Sequence, residues 1–323
     1  MKEIKVKKKH TRALIIGSGA IGAYLAKLLL QKNFEVFTTS RMGKGYNENY
    51  KKLKINKKVS FVKLNILKKK QIEKIILNKK PEYIFYFAGQ GSVATSFKKP
   101  KETYRSNYLG AKYFLDIIKK NKLKTKFFKS NSAYIFNGNK SKITLKSTLI
   151  KPESPYTRSQ INAYKLIKKY RSLGLSCYSI IFFNIESPLR SNDFLVKKVC
   201  LESKKILRHQ KNKIKFGNIN SYRDFGWAPE IVNAVYFMSK LKPCDMLIGT
   251  GKSVLVKNII KYAFAYRNLD YKKFIKVDKK LYRKSERNRV VGSLSETFKK
   301  LKKWNWKPKI YGKKLVYKMC QSC

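Results

Sequence analysis

The sequence predicts an α/β protein: a Rossmann-type doubly wound parallel sheet followed by a smaller, mixed C-terminal region. Three observations predict it. The apolar run Ala13-Leu-Ile-Ile ends in the glycine turn Gly17-Ser-Gly19-Ala-Ile-Gly22. Helical spacing of Leu25, Leu28 and Leu29 follows, and then a second strand-like run, Glu35-Val-Phe-Thr-Thr39. Strand-like and helix-periodic segments then alternate as far as Phe183, as crossover units of a parallel sheet do.

Strand, glycine turn, helix and strand in this order open a dinucleotide-binding unit. Gly17, Gly19 and Gly22 let the backbone approach a pyrophosphate. A helix over 23–31 follows, whose first N–H groups point at it. The alternation continues with a strand over 59–64, a helix over 69–77 and a strand over 83–87 that ends at Ala88-Gly89. A helix over 103–121 follows, then a strand over 126–129 and the polar turn Ser130-Asn-Ser132. A helix over 156–173 leads into a strand over 176–183. Past Asn184 the pattern is mixed and loop-rich. The division is therefore a dinucleotide-binding domain over 1–183 and a mainly substrate-binding region over 184–323, some of whose elements return to the first domain.

The second strand ends Thr38-Thr39-Ser40-Arg41. A carboxylate there would hold a ribose hydroxyl of NAD. None is present, and Arg41 can pair with a 2′-phosphate, so NADP is the expected cofactor, with NAD possible. The plainer reading of Arg41 is one more solvated base.

The 323 residues suffice for a sizeable core. With 76 Lys+Arg against 18 Asp+Glu the net charge is +58. The lysines run through the whole chain without forming an arm or stripe, and no nucleic-acid module is recognisable. They read as compositional bias, whose positive field still steers an anionic diphosphate inward. No apolar run approaches the roughly 20 residues that span a bilayer. The charged start is not followed by a signal segment. A cytoplasmic protein without membrane or nucleic-acid partners is expected. Five cysteines are an odd number in a chain of this size, which argues against a disulfide framework. Cys320-Gln-Ser-Cys323 has metal or redox spacing but no second pair, and with only His10 and His209 no histidine triad or metal site is expected.

The run from Ser154 to Arg190 begins SPYTRSQ and ends FFNIESPLR. With Ala23-Tyr-Leu-Ala26, Phe87-Ala-Gly-Gln90, Asn107-Tyr-Leu-Gly110, Tyr222-Arg-Asp-Phe-Gly226, Thr250-Gly251, Ser285-Glu286 and Trp304-Asn-Trp306-Lys-Pro308, in order and over nearly the whole chain, it resembles the extended short-chain dehydrogenase/reductases. The branch it is most similar to is the GDP-mannose 4,6-dehydratases.

The resemblance implies an NAD(P)-linked enzyme acting on a nucleotide-activated hexose, with GDP as the expected nucleotide. It implies cofactor contacts at Gly17, Gly19, Ala20, Ile21, Gly22, Arg41, Asn65, Ile66, Phe87, Ala88, Gly89 and Asn107. It places nucleotide-sugar contacts at Asn184 and Lys198, diphosphate contacts at Arg223 and Arg283, and the nucleoside end at Glu286. It implies a homodimer, or a tetramer built from it, paired through two helices that carry Tyr108, Phe114, Ile117, Ile161 and Leu166.

The same resemblance makes Tyr156 the acid/base and Ser132 its hydroxyl partner. Two positions depart from the family pattern. Gln160 stands where a lysine one helical turn after the tyrosine would bind the nicotinamide ribose and lower the phenol pKa. Glutamine keeps the hydrogen bond and loses the charge, so slow hydride transfer that rises towards alkaline pH is expected. Tyr134 stands where a dehydratase carries the glutamate that removes the C5 proton. Dehydratase, 4-epimerase, 4-keto reductase and a catalytically weak sugar-nucleotide-binding protein therefore stay open.

Overall fold

Ala13, Leu14, Ile15 and Ile16 are fully buried, because the strand they form lies in the middle of the sheet with helices on both faces. The structure is a computed structural model and describes residues 10–41, 48–138, 141–210, 212–282 and 286–323.

Six strands come in chain order: β1 (Arg12–Ile16), β2 (Glu35–Ser40), β3 (Ser60–Lys63), β4 (Tyr83–Tyr86), β5 (Lys126–Ser132) and β6 (Cys177–Phe182). A seventh, Asp245–Ile248, lies beyond β6. The order across the sheet is Asp245–Ile248, β6, β5, β4, β1, β2, β3, and every pairing is parallel. The strand order reverses between β1 and β4, and a crevice opens there at the carboxyl ends of the strands.

Each face of the sheet carries its own core. Ala13, Ile15, Phe85, Phe128, Tyr178 and Ile180 pack against helices Ala20–Gln31 and Ala228–Met238. Leu14, Ile16, Ile84, Tyr86 and Phe127 pack on the other face against Phe114, Ile118 and Ile167. A third core, around Val199, Ile260, Phe264 and Leu315, holds the C-terminal helices together.

Three sequence expectations need correction. The polar turn Ser130-Asn-Ser132 is the last part of β5, in register with Ile180, Ile181 and Phe182. Its polar side chains find partners inside the sheet: the Asn131 amide donates to Ser179 Oγ (2.6 Å) and the Ser130 hydroxyl to Tyr86 O (3.2 Å). The helix expected over 103–121 begins at Pro100 and includes a wider-wound segment, Arg105–Leu109, before continuing over Gly110–Lys120. The strand Asp245–Ile248 is one of the elements after 184 that join the first domain's sheet, on β6. Finally, Phe114, Ile117, Ile161 and Leu166 are buried inside the chain itself. Exposed apolar side chains lie beside those helices instead, Phe97 on the short helix Val93–Lys98 and Tyr104 on the segment Pro100–Tyr104.

All five cysteines are free thiols, and the terminal helix brings Cys320 Sγ to 3.1 Å from Cys200 Sγ. Among the described residues no group of His, Cys, Asp or Glu is arranged to hold a metal ion, and no helix is long and apolar enough to cross a membrane.

Candidate functional site

The glycine turn follows β1 and leads into the helix Ala20–Gln31. Gly17 has φ +107°, and a Cβ there would sit 2.8 Å from the backbone nitrogen of Ala88. A Cβ on Gly22 would meet Gly17 O at 2.3 Å. Only glycine fits either position. Gly19 caps the helix without a side-chain hydrogen bond, and a Cβ there would meet nothing within 4 Å. The first N–H groups of a 12-residue helix thus face open space, the geometry that suits a pyrophosphate. The residues present fit a dinucleotide.

On the far side of the crevice the Asn107 carboxamide ties three segments together. Its oxygen accepts from Gln90 N (2.9 Å), and its nitrogen donates to Gln90 O (3.1 Å) and Ser159 Oγ (3.0 Å). Phe87, Ala88, Gly89 and Asn107 line a cavity of about 160 Å3 together with Ile21, Ser132, Tyr156 and Gln160. Arg41 and Asn65 lie exposed at the ends of β2 and β3, outside that cavity. Asn65 is engaged locally, its side chain accepting from Leu67 N (3.0 Å), and Ile66 lies beside Gly110.

Tyr156 opens the helix Pro155–Ser172. Ser154 and Thr157 close a reciprocal capping box, and Pro155 takes the first helical position, where its missing N–H costs nothing. This fixes the helix start, and so the direction of Tyr156. Ser132, at the end of β5, lines the same cavity as Tyr156, its hydroxyl oxygen accepting from Tyr134 N (3.2 Å). Burial raises the phenol above its ordinary value, with Ser132 and the Arg190 guanidinium acting against that rise and Tyr134 adding to it. Gln160, one turn on, is 6% exposed, and its Oε1 is buried without a hydrogen-bond partner. Tyr164, which repeats the spacing, points elsewhere and donates to Asp245 Oδ2 (3.0 Å).

Tyr156 and Ser132 also form part of the wall of a larger cleft of about 560 Å3, built mainly from residues after 183. Asn184, Arg223 and Glu286 line it. Asn184 donates to Asp224 O (3.1 Å); Lys198 is exposed and is not part of the cleft wall, its ammonium 5.8 Å from the ring centre of Phe216, which is. Arg223 is paired with Glu286. Asp224 is committed elsewhere, its carboxylate accepting from Thr250 N (2.9 Å) and Gly251 N (2.8 Å). The Tyr134 ring lies between two guanidinium groups, 6.0 Å from that of Arg223 and 5.7 Å from that of Arg287. Arg283 lies outside the described residues.

Three groups at the site were not singled out from the sequence. Lys129, on β5, lines the smaller cavity. Glu186, on the short strand Asn184–Glu186, lines the larger cleft, and desolvation raises its carboxyl to about 7. Arg190 reaches both cavities and stacks on Phe194, 3.4 Å from the ring centre. A signal existed for Lys129: a lone charge between Phe128 and Ser130 in a strand otherwise read as buried.

A doubly wound sheet with a glycine-cradled crevice on one side of a buried tyrosine and an arginine-walled cleft on the other defines an extended short-chain dehydrogenase/reductase of the epimerase/dehydratase type. The chain belongs to the GDP-mannose 4,6 dehydratase family, whose model matches residues 14–319. It is 29% identical to GDP-mannose 4,6 dehydratase 1 of Arabidopsis thaliana over 323 residues, covering 95% of this chain and 88% of the relative. It is 28% identical to the human GDP-mannose 4,6 dehydratase over 344 residues, covering 97% and 91%. Among solved structures, the Thermotoga maritima UDP-glucose 4-epimerase with UDP-glucose superposes with a TM-score of 0.83 at 22% identity, covering 97% and 98% of the two chains. The dTDP-glucose 4,6-dehydratase of Bacillus anthracis, in complex with NAD, superposes with a TM-score of 0.80 at 17% identity, covering 97% and 96%.

Proposed function

We propose that this chain is an NAD(P)-dependent nucleotide-sugar dehydratase acting on a GDP-linked hexose, with NADP as the preferred dinucleotide. The observation that carries the reading is the position of Tyr156: together with Ser132 it lines both the glycine-cradled cavity and the arginine-walled cleft. A hydroxyl on a sugar in the cleft is within the tyrosine's reach while a nicotinamide occupies the cavity.

Gly17, Gly19, Gly22 and Asn107 would hold the dinucleotide. When bound, the dinucleotide would supply the hydride acceptor for the oxidation and the hydride donor for the later reduction. Tyr156 takes the proton of the sugar C4 hydroxyl as C4 is oxidised. The resulting 4-ketone acidifies the C5 proton, and elimination needs a base for it. Tyr134 occupies the position where the sequence alignment puts that base. We assign the role instead to Glu186, a carboxyl in the same cleft whose burial holds it near neutrality, the range in which a carboxyl exchanges protons well. Loss of the C5 proton and the C6 hydroxyl releases one water. Arg223 supplies charge for the diphosphate. Residues 1–183 hold the dinucleotide and 184–323 mainly the sugar nucleotide, and the chain pairs as a homodimer, in the cytoplasm, through the surface bearing Phe97 and Tyr104.

The test is incubation of the purified protein with NADP and a panel of GDP-, CDP- and UDP-hexoses, followed by mass spectrometry and NMR. Loss of one water from the GDP-hexose, with solvent deuterium entering at C5, is the expected result. A new isomer of unchanged mass would make the chain an epimerase. Binding without conversion would make it a sugar-nucleotide-binding protein.

A further inference from the structure

A nicotinamide-linked tyrosine needs a cation nearby, and position 160 does not provide one. The inference that follows rests on the functional reading above, in that it identifies the group that does.

Lys129 is 1% exposed, in a central strand, three residues before Ser132. It lines the same cavity as Ser132, Tyr156 and Gln160. The helix that carries Tyr156 and Gln160 packs directly on β5. The Lys129 ammonium donates to Ser130 O and lies 5.3 Å from the ring centre of Tyr86. Among the described residues no carboxylate forms an ion pair with it. Burial alone depresses its pKa to about 7. An unpaired buried amine costs stability, and nothing in the packing of the strand requires one.

The walls around it carry the complementary defect. Gln160 Oε1 and Asn131 Oδ1 are both buried without a hydrogen-bond partner, and both residues line this cavity. Lys129 has protons to spare, and two amide oxygens lack donors. A pair of adjacent hydroxyls, each able to accept one hydrogen bond and donate another, satisfies all three groups. Ribose carries such a pair.

The ionisable groups that act on Tyr156 are Tyr134, from the turn after β5, and Arg190, from the segment after β6; Glu186 lines the larger cleft with it, and Lys129 the smaller cavity. Tyr86 of β4 lies beneath Lys129. Arg190 is a cation, but the Glu186 carboxyl beside it opposes its field whenever ionised.

We propose that Lys129 delivers from the strand the ammonium that position 160 lacks on the helix: with Gln160 and Asn131 it binds the ribose hydroxyls of the dinucleotide, and its charge favours the Tyr156 phenolate. The site then works with its lysine and glutamine held on opposite elements.

The experiment uses the full chain unaltered and as Lys129→Gln, Lys129→Met, Gln160→Lys and the double variant Lys129→Gln/Gln160→Lys. Three quantities are read: NADPH affinity by fluorescence, the titration of Tyr156 by NMR of ring-labelled tyrosine with Tyr156→Phe for assignment, and thermal stability. Lys129→Gln and Lys129→Met are expected to weaken NADPH binding about tenfold and to raise the Tyr156 titration by about one unit or more. Both are expected to keep or increase thermal stability near neutral pH, where a residue of structural importance would lower it. The double variant is expected to recover both the affinity and the titration. Unchanged titration and affinity on removing Lys129, or a double variant that recovers neither, would overturn the proposal. The tyrosine titration is read with and without NADPH and needs no sugar substrate. A protein that converts no nucleotide-hexose yet shows the Lys129 dependence would reject the dehydratase reading and keep this one.

Discussion

Arg223 and Glu286 form a buried ion pair on the wall of the larger cleft, with 3.0 Å between Nη2 and Oε1 and side chains 6% and 17% exposed. The guanidinium also donates from Nη1 to Tyr222 O (2.9 Å). The planar cation is held in place before any diphosphate arrives, and part of its charge is already used by the carboxylate.

Replacing Arg223 removes a cation from beside the partly buried Glu286 carboxylate. Arg223→Ala is expected to cost about 1–3 kcal/mol of stability and to weaken GDP binding by about 10- to 100-fold. Glu286→Gln releases the guanidinium and is expected to bind GDP at least as tightly as the unaltered protein. Titration calorimetry and thermal melts measure both. Full GDP affinity in Arg223→Ala would remove Arg223 from the diphosphate site.

Cofactor choice turns on Arg41, exposed at the end of β2, where no carboxylate stands. NADPH is expected to bind more tightly than NADH, and Arg41→Ala to narrow the difference by about tenfold or less, since the contact is solvated. Equal affinity for the two dinucleotides in the unaltered protein would show that another group makes the choice.

Glu186 predicts a pH dependence of stability. Desolvation raises its carboxyl from 4.5 to about 7, with Arg190 opposing the rise. Where both folded and unfolded chains are protonated, below 4.5, the residue costs nothing. As pH rises past that value the unfolded chain releases a proton that the folded chain keeps, so stability falls, and the loss is complete once pH exceeds about 7. Glu186→Gln is expected to match the unaltered protein in acid and to exceed it above neutrality by up to about 3 kcal/mol. Denaturant melts across pH measure this. If Glu186 is the C5 base, the same variant stops solvent deuterium from entering the sugar while leaving NADPH affinity intact. Stability curves that stay parallel through this range would mean that Glu186 is ionised in the folded protein.

Local signals carried most of the sheet. The glycine turn, each single strand or helix, and the Ser-Pro-Tyr helix start are written in fewer than about 20 consecutive residues, the span over which periodicity and capping act. Where polar side chains satisfied one another across strands, as Asn131 does with Ser179, local chemistry misread a strand as a turn. Where apolar residues faced an adjacent element of the same chain, as Phe114 and Ile161 do, amphipathic spacing could not separate a core from an interface.

The sequence by itself determined the order of crossover units, the glycine cradle after β1, and the placement of Tyr156 and Gln160 on one helical face. It also exposed the missing cation. Only the tertiary structure decided what surrounds them. It set Asp245–Ile248 beside β6, paired Arg223 with Glu286 across more than sixty residues of chain, and carried Glu186 into the cleft. It also turned Lys129 into the cavity that holds Gln160. The physical reason is the range of the forces involved. Backbone propensity and capping act between neighbours in the chain. Burial, and the loss of water that shifts Lys129 and Glu186, depends on which distant segments close over a side chain.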